Sequence, residues 1–241
     1  MVKEFERVCG QKGLKINPGK SKVLVFEEEE TDEGMELEIR VGGVVLEEVK
    51  VFRYLGMDLG KEGGMKEEID HRVGEGTRAL SGLRELWKEG DLSLKLKISM
   101  FEKICVPAVL YGCETWGLNA RSKKKLEVFE MKGLRAVCGV SKRERIRNRV
   151  IRERCDWKNG LVRRAEKGML RWFGHLERME EQRVVRRVWE AEGIGRRGRG
   201  RPRRRWMDGI KEMLEERGMR VEEGRVLARD RMEWRRWVRA R

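Results

Sequence analysis

The chain predicts an α+β fold: a small antiparallel β region, then a mostly α-helical region, then a basic helical C-terminal region. Three observations carry this expectation. Met35, Leu37, Ile39 and Val41 alternate with Glu36, Glu38 and Arg40, the two-residue period of a half-buried strand. From about Met65 onward, apolar residues recur every three or four positions, as amphipathic helices require. Charge also divides along the chain. Residues 1–140 hold 24 Lys/Arg and 25 Asp/Glu, whereas the remaining 101 residues hold 33 and 17.

The elements follow in order from the same patterns. Val2, Phe5, Val8 and Cys9 mark a first helix that ends at Gly10 or Gly13. Val23–Phe26 is a short apolar strand, and the acidic run Glu27–Glu30 behind it forms a solvated loop. Gly42-Gly43 turns the alternating strand back into Val44–Leu46 as a hairpin. Val49–Leu59 supplies one more strand or strand pair. Ile69, Val73, Leu80, Leu83, Leu86 and Trp87 describe a helix, bent or interrupted around Gly74-Glu75-Gly76. Asp91-Leu92-Ser93 caps the next, which sets Leu94, Ile98, Phe101, Ile104 and Cys105 on one face, up to Pro107. Leu126, Phe129, Leu134, Val137 and Cys138 mark a fourth helix. Ala165, Met169, Trp172, Phe173, Leu176 and Met179 mark a fifth. Trp206, Ile210, Met213 and Leu214 mark another, and Leu227, Arg231, Trp234 and Val238 a last one. Three domains are expected, over residues 1–62, 63–140 and 141–241.

With 41% charged and 39% hydrophobic residues, 241 positions allow a core, though not a generous one. The two-part charge sums to −1 over residues 1–140 and +16 over the rest. An excess confined to one region points to a polyanionic partner, nucleic acid before membrane. Five cysteines (Cys9, Cys105, Cys113, Cys138, Cys155) lie far apart with no C-x-x-C, and His71 and His175 stand alone. No zinc site is expected; the thiols should be free and mostly buried, in a reducing compartment. The longest uncharged run, Ile104 to Cys113, has ten residues, against roughly 20 for a membrane-spanning helix. Met1-Val2-Lys3-Glu4 opens an amphipathic charged stretch, not a signal peptide. An intracellular location, nucleus or cytoplasm, is expected.

Two segments carry the sharpest chemistry. In Gly13-Leu14-Lys15-Ile16-Asn17-Pro18-Gly19-Lys20-Ser21-Lys22, glycine and Asn-Pro permit a sharp reversal from helix to strand. Lys20 and Lys22 are thereby held at the strand's entrance, where an ammonium can stabilise a departing pyrophosphate. In Val51-Phe52-Arg53-Tyr54-Leu55-Gly56-Met57-Asp58-Leu59, an aromatic–x–aromatic–Leu strand ends on a glycine that allows another backbone to come close. The plainer reading of both is structural: a helix–turn–strand link with solvated lysines, and core packing of a hairpin.

In this order the two segments resemble the last two palm motifs of reverse transcriptases from non-long-terminal-repeat (LINE-type) retrotransposons. Pro107–Trp116, Leu170–Met179 and Gly200–Asp208 resemble later segments of the same proteins, in the same sequence. The resemblance implies a palm remnant, a thumb and a C-terminal extension. It places Lys20 and Lys22 beside the incoming nucleotide, with Lys20 facing the triphosphate. It makes Phe52, Tyr54, Leu55 and Gly56 a primer grip, in which Tyr54 and Gly56 make contact while Phe52 and Leu55 pack. In that family, adjacent metal-binding aspartates sit just upstream of the first segment, and Met1 begins only about a dozen residues before it. The chain thus resembles the rear of a polymerase without its catalytic carboxylates. Its seven aspartates are scattered, with no doublet, whereas two-metal transfer needs carboxylates converging on ions ~4 Å apart. No catalytic residue and no metal site are therefore expected, and Mg2+ only in a full-length polymerase. Upstream polymerase segments join RNA and DNA as expected partners.

The basic tract is the third candidate. From Ile194 to Trp206, seven of thirteen residues are arginine: Arg196, Arg197, Arg199, Arg201, Arg203, Arg204 and Arg205. Guanidinium forks match phosphate oxygens with paired donors. Arg199-Gly200-Arg201-Pro202 also resembles the core of an AT-hook, which inserts into a narrow A·T minor groove. A domesticated DNA-binding protein using that element, a nuclear-import signal, a solvated linker and a decayed transposon product remain alternatives. Trp172, Trp206, Trp234 and Trp237 have arginine neighbours, yet their helical spacing makes them expected buried anchors. His175 is expected to be packed and hydrogen-bonded. Binding through about six phosphates should give a log–log salt slope near −5. Residues 1–60, half a sheet with open edges, should be less stable than the helices beyond residue 65.

Overall fold

The computed structural model describes residues 1–25, 38–54, 56–60, 66–89, 91–191 and 205–240. They fall into two compact units, Met1–Glu68 and Ile69–Arg241.

In the first unit, helix α1 (Val2–Gln11) ends where Gly13 takes φ 70°. The Leu14 N–H donates to the Cys9 carbonyl at 2.9 Å and the Gly13 N–H to that of Gly10 at 3.1 Å, closing the last turn. A 3-10 turn, Pro18–Lys20, leads into β1 (Lys22–Val23). Strands β2 (Arg40–Val41) and β3 (Val44–Val45) form the hairpin expected at Gly42-Gly43, whose φ values are 58° and 79°. A second antiparallel hairpin joins β5 (Val51–Tyr54) to β6 (Met57–Gly60). The third ladder departs from expectation: β4 (Glu47–Glu48) pairs with β1 in parallel. Opposite charge sets that register, since Lys22 stands across from Glu47 and the two form an ion pair. Among the described apolar residues of this unit only Val23 and Val41 are buried, while Phe5, Leu14 and Val44 are 60%, 63% and 53% exposed. Glu27–Glu30 and the first half of the alternating strand lie outside the described residues.

The second unit is helical. Helix α2 (Lys66–Glu89) runs unbroken through Gly74-Glu75-Gly76, contrary to the expected interruption. Gly76 is there for packing: a Cβ on it would overlap Val109 and come within 2.9 Å of Phe129. Ser93 caps α3 (Leu94–Met100) by accepting the Leu96 N–H at 3.3 Å. The helix does not stop at Pro107 as expected. A π-helical stretch, Phe101–Cys105, widens the turn ahead of the proline, and the chain continues as α4 (Val106–Leu110). Widening removes the clash between the proline ring and the preceding turn. It also buries Phe101, Cys105 and Val109, leaving Ile104 46% exposed.

Helix α5 (Ala120–Val137) buries Leu126, Phe129, Leu134 and Val137, the expected face. Phe101 packs on Phe129 and on Trp157, with ring centroids 6.0 and 5.6 Å apart. After α6 (Asn148–Arg154) comes α7 (Leu161–Glu177), with Ala165, Met169 and Phe173 fully buried and Leu176 nearly so. α7 is the hub: α4, α5 and the 3-10 turn Cys113–Thr115 pack on it, and so do α8 (Val184–Glu190), α9 (Trp206–Glu215), α10 (Val221–Arg229) and α11 (Arg231–Arg239). α8 escapes an apolar reading because it docks through an arginine. Arg186 is buried, donates to the Leu176 carbonyl at 2.7 Å and pairs with Glu190 at 2.6 Å, while Val184 and Val188 face outward. The single last helix expected is two, α10 and α11. Asp230 divides them by accepting the N–H groups of Met232 and Glu233 at 2.8 and 3.0 Å.

Candidate nucleic-acid interface

Opposite its buried row, α7 carries Arg163, Lys167, Arg171 and His175, with Arg178 just beyond its end. Successive members stand three or four residues apart, so they form one basic stripe. α11 carries a matching stripe, Arg231, Arg235 and Arg239, at i, i+4 spacing. Glycine and tryptophan bring the two together. At Gly174 a Cβ would overlap the Trp234 indole, so only glycine admits that ring against the helix. The indole N–H then donates to the Leu170 carbonyl at 2.9 Å. Phe173 completes the contact, its ring 5.6 Å from that of Trp234. The result is a cleft of about 640 Å³ whose walls include Arg171, His175, Arg178, Arg231, Arg235 and Arg239.

Its charge is left unanswered. Among the described residues, no carboxylate pairs with Arg171, Arg231, Arg235 or Arg239. Other arginines of the unit are neutralised: Arg152 by Glu130 at 2.9 Å, Arg164 by Glu102 at 2.5 Å, Arg186 by Glu190. Burial, and then the nearby Arg231, push the Arg178 guanidinium below its ordinary range. Lys167 is likewise pushed down, by burial first and then by Arg163, Arg217 and Arg171. Crowded like charges of this kind are relieved when an anion enters. Arginine forks on two rigid helices suit phosphate oxygens, and four charged donors facing one cleft suit a polyanion better than a single ion.

The chain is 26% identical over 245 aligned residues to an uncharacterized transposon-derived protein of Caenorhabditis elegans. That match spans 97% of this chain and 86% of the relative. No family model matches the chain. No solved structure matches it either.

The residues singled out from sequence are distributed as follows. Lys20 is exposed at the end of its 3-10 turn, where the Asn17 side chain accepts its backbone N–H at 3.3 Å. Lys22 is engaged by Glu47, so its charge is answered within the sheet. In the β5–β6 hairpin, Tyr54 is 57% exposed and pairs with Met57, while Phe52 is half-buried opposite Leu59. Gly56 sits in the turn with φ 81°. Leu55 lies outside the described residues, as do Arg196, Arg197, Arg199, Arg201, Arg203 and Arg204. Arg205 is exposed at the N-cap of α9, its backbone N–H donating to Asp208 at 2.7 Å. The described residues flanking the tract meet: Trp189 and Trp206 pack edge to face at 5.3 Å, and the Trp206 indole donates to the Glu114 carbonyl at 2.9 Å.

Of the four arginine-flanked tryptophans only Trp234 is fully buried; Trp172, Trp206 and Trp237 are half-buried. His175 is exposed, contrary to expectation, with its ring 5.2 Å from that of Trp172. Among the described residues no three His, Cys, Asp or Glu side chains gather as a metal-binding group. None of the described helices is long and apolar enough to cross a membrane. As a set, the arginines of the cleft escaped the sequence reading, which marked these helices mainly by their apolar spacing. Their own four-residue period, at 231, 235 and 239, was the available signal.

Proposed function

We propose that this chain is a transposon-derived nucleic-acid-binding protein, the C-terminal part of a LINE-type reverse transcriptase. It grips the phosphate backbone of RNA, DNA or their hybrid in the α7–α11 cleft, aided by the Arg196–Arg205 tract. The observation that carries this reading is the set of four arginines, Arg171, Arg231, Arg235 and Arg239, left without carboxylate partners among the described residues on two facing helices. Such a surface costs folding energy through self-repulsion and is compensated by a polyanion. The transposon-derived relative supports the origin, and the order of the palm-like and thumb-like segments in the sequence supports the polymerase assignment. The reading is of binding without phosphoryl transfer, since the sequence holds seven scattered aspartates and no aspartate doublet.

Ultraviolet cross-linking tests it. An end-labelled RNA–DNA hybrid irradiated with the purified chain should attach to peptides of α7 and α11. Attachment confined to other peptides, or none at all under binding conditions, would contradict the proposal.

A further inference from the structure

The fold brings together two cysteines that the sequence keeps seventeen residues apart. Cys138 and Cys155 sit at the C-caps of α5 and α6, with their sulfur atoms 3.3 Å apart. Their backbones are fixed: the Cys138 N–H donates to the Leu134 carbonyl at 3.0 Å and the Cys155 N–H to that of Ile151 at 3.1 Å. The connection between them is tied as well, since Arg135 donates to the Ile146 carbonyl and to the Asn148 side chain, both at 2.8 Å. Proximity is therefore built into the packing of α5 on α6. Closing from 3.3 Å to a bond of about 2.05 Å asks only for a small side-chain adjustment.

The two thiols differ in access. Cys138 is half-buried and borders a cavity of about 430 Å³ whose lining includes Lys97 and Arg154. Cys155 is only 3% exposed. Burial, then its contact with Cys138, push its thiol up to about 12. Cys105 and Cys113, also buried, have no described thiol neighbour.

We propose that Cys138 and Cys155 are a peroxide-responsive pair, in which Cys138 meets the oxidant and Cys155 resolves it into a reversible intramolecular disulfide. The Cys138 thiolate attacks a peroxide oxygen; an S–O bond forms, the O–O bond breaks, and the leaving hydroxide takes a proton to become water. Cys138 is now a sulfenic acid. The Cys155 sulfur then attacks the Cys138 sulfur; the S–S bond forms, the S–O bond breaks, and the departing hydroxyl takes the Cys155 proton to leave as a second water. Two thiols have lost two electrons and hydrogen peroxide has gained them. The new bond closes a ring over residues 138–155, which contains Lys142, Arg143, Arg145, Arg147 and Arg149, and locks this basic connection to α5. A dithiol reverses the step.

The test uses the reduced full-length chain and hydrogen peroxide at a few equivalents. Free thiols counted after denaturation should fall from five to three, and non-reducing peptide mapping should find Cys138 joined to Cys155. Dithiothreitol should restore all five. In Cys155→Ser, dimedone should trap a sulfenic acid on Cys138, whereas Cys138→Ser should leave Cys155 unlabelled. The proposal is overturned if all five thiols survive, or if the first disulfide formed joins any other pair or two molecules. The mapping on the parent chain decides this even where a variant fails to fold.

Discussion

Glu130→Ala should be among the most damaging single changes in the second unit, because one carboxylate there does two jobs. Its side chain is 2% exposed. One oxygen accepts from Arg152 Nε at 3.0 Å and the other from the Leu161 N–H at 2.6 Å. Leu161 is the first residue of α7, and Gly160 before it has no side chain to cap the helix. Glu130, reaching across from α5, thus serves as the cap and meets the positive end of the helix dipole. Truncation leaves a buried N–H without an acceptor, at ~1–3 kcal/mol. Arg152 is 39% exposed and can turn to water, so losing that pair adds at most about 1 kcal/mol. The sum is about 3 kcal/mol, or a fall in Tm of roughly 6–12 °C for a unit of this size. Glu130→Gln keeps an acceptor for Leu161 and should cost about 1 kcal/mol. Urea titration followed by circular dichroism measures both. A Glu130→Ala cost below about 1 kcal/mol, or equal costs for the two variants, would refute the capping argument.

Two further outcomes follow from burial and charge. Only Val23 and Val41 are buried among the described apolar residues of Met1–Glu68, so amides of β2, β3, β5 and β6 should exchange hydrogen well before those of α5 and α7; equal protection would contradict this. Burial pushes the thiols of Cys105, Cys113 and Cys155 up to about 11, 12 and 12 from an ordinary 9.0. The unfolded chain therefore loses these protons first, and stability should fall as pH rises above 9.0, by up to ~1.4 kcal/mol per pH unit for each thiol. Urea midpoints between pH 8 and 10.5 that do not move, or a triple alanine variant with the same pH slope as the parent, would count against it.

What the sequence revealed depended on whether a residue's role was local. The Gly42-Gly43 turn and the α7 row Ala165, Met169, Phe173, Leu176 were legible, since turn chemistry and helical period are written in neighbouring residues. Pro107 misled because a π-turn, not a helix end, absorbed its ring. Gly76 misled because its reason is Val109 and Phe129, more than thirty residues away. Asp230 was overlooked as a cap, so two short helices read as one. The cleft was invisible for the deeper reason that α7 and α11 meet where Trp234 packs on Gly174 and Phe173, a contact no window of sequence contains. Cys138 and Cys155 met unannounced for the same cause.

The salt dependence of binding tests the central claim most directly. Anisotropy of a labelled duplex, titrated between 50 and 200 mM salt, should give the parent chain a log–log slope near −5. Replacing Arg171, Arg231, Arg235 and Arg239 by Gln removes four phosphate contacts and should flatten the slope by about 3.6, at ~0.9 each. Across that fourfold rise in salt the parent should then lose roughly 150-fold more affinity than the variant. Parallel slopes for the two proteins, or a parent whose binding ignores salt, would mean that the α7–α11 cleft does not hold the phosphate backbone.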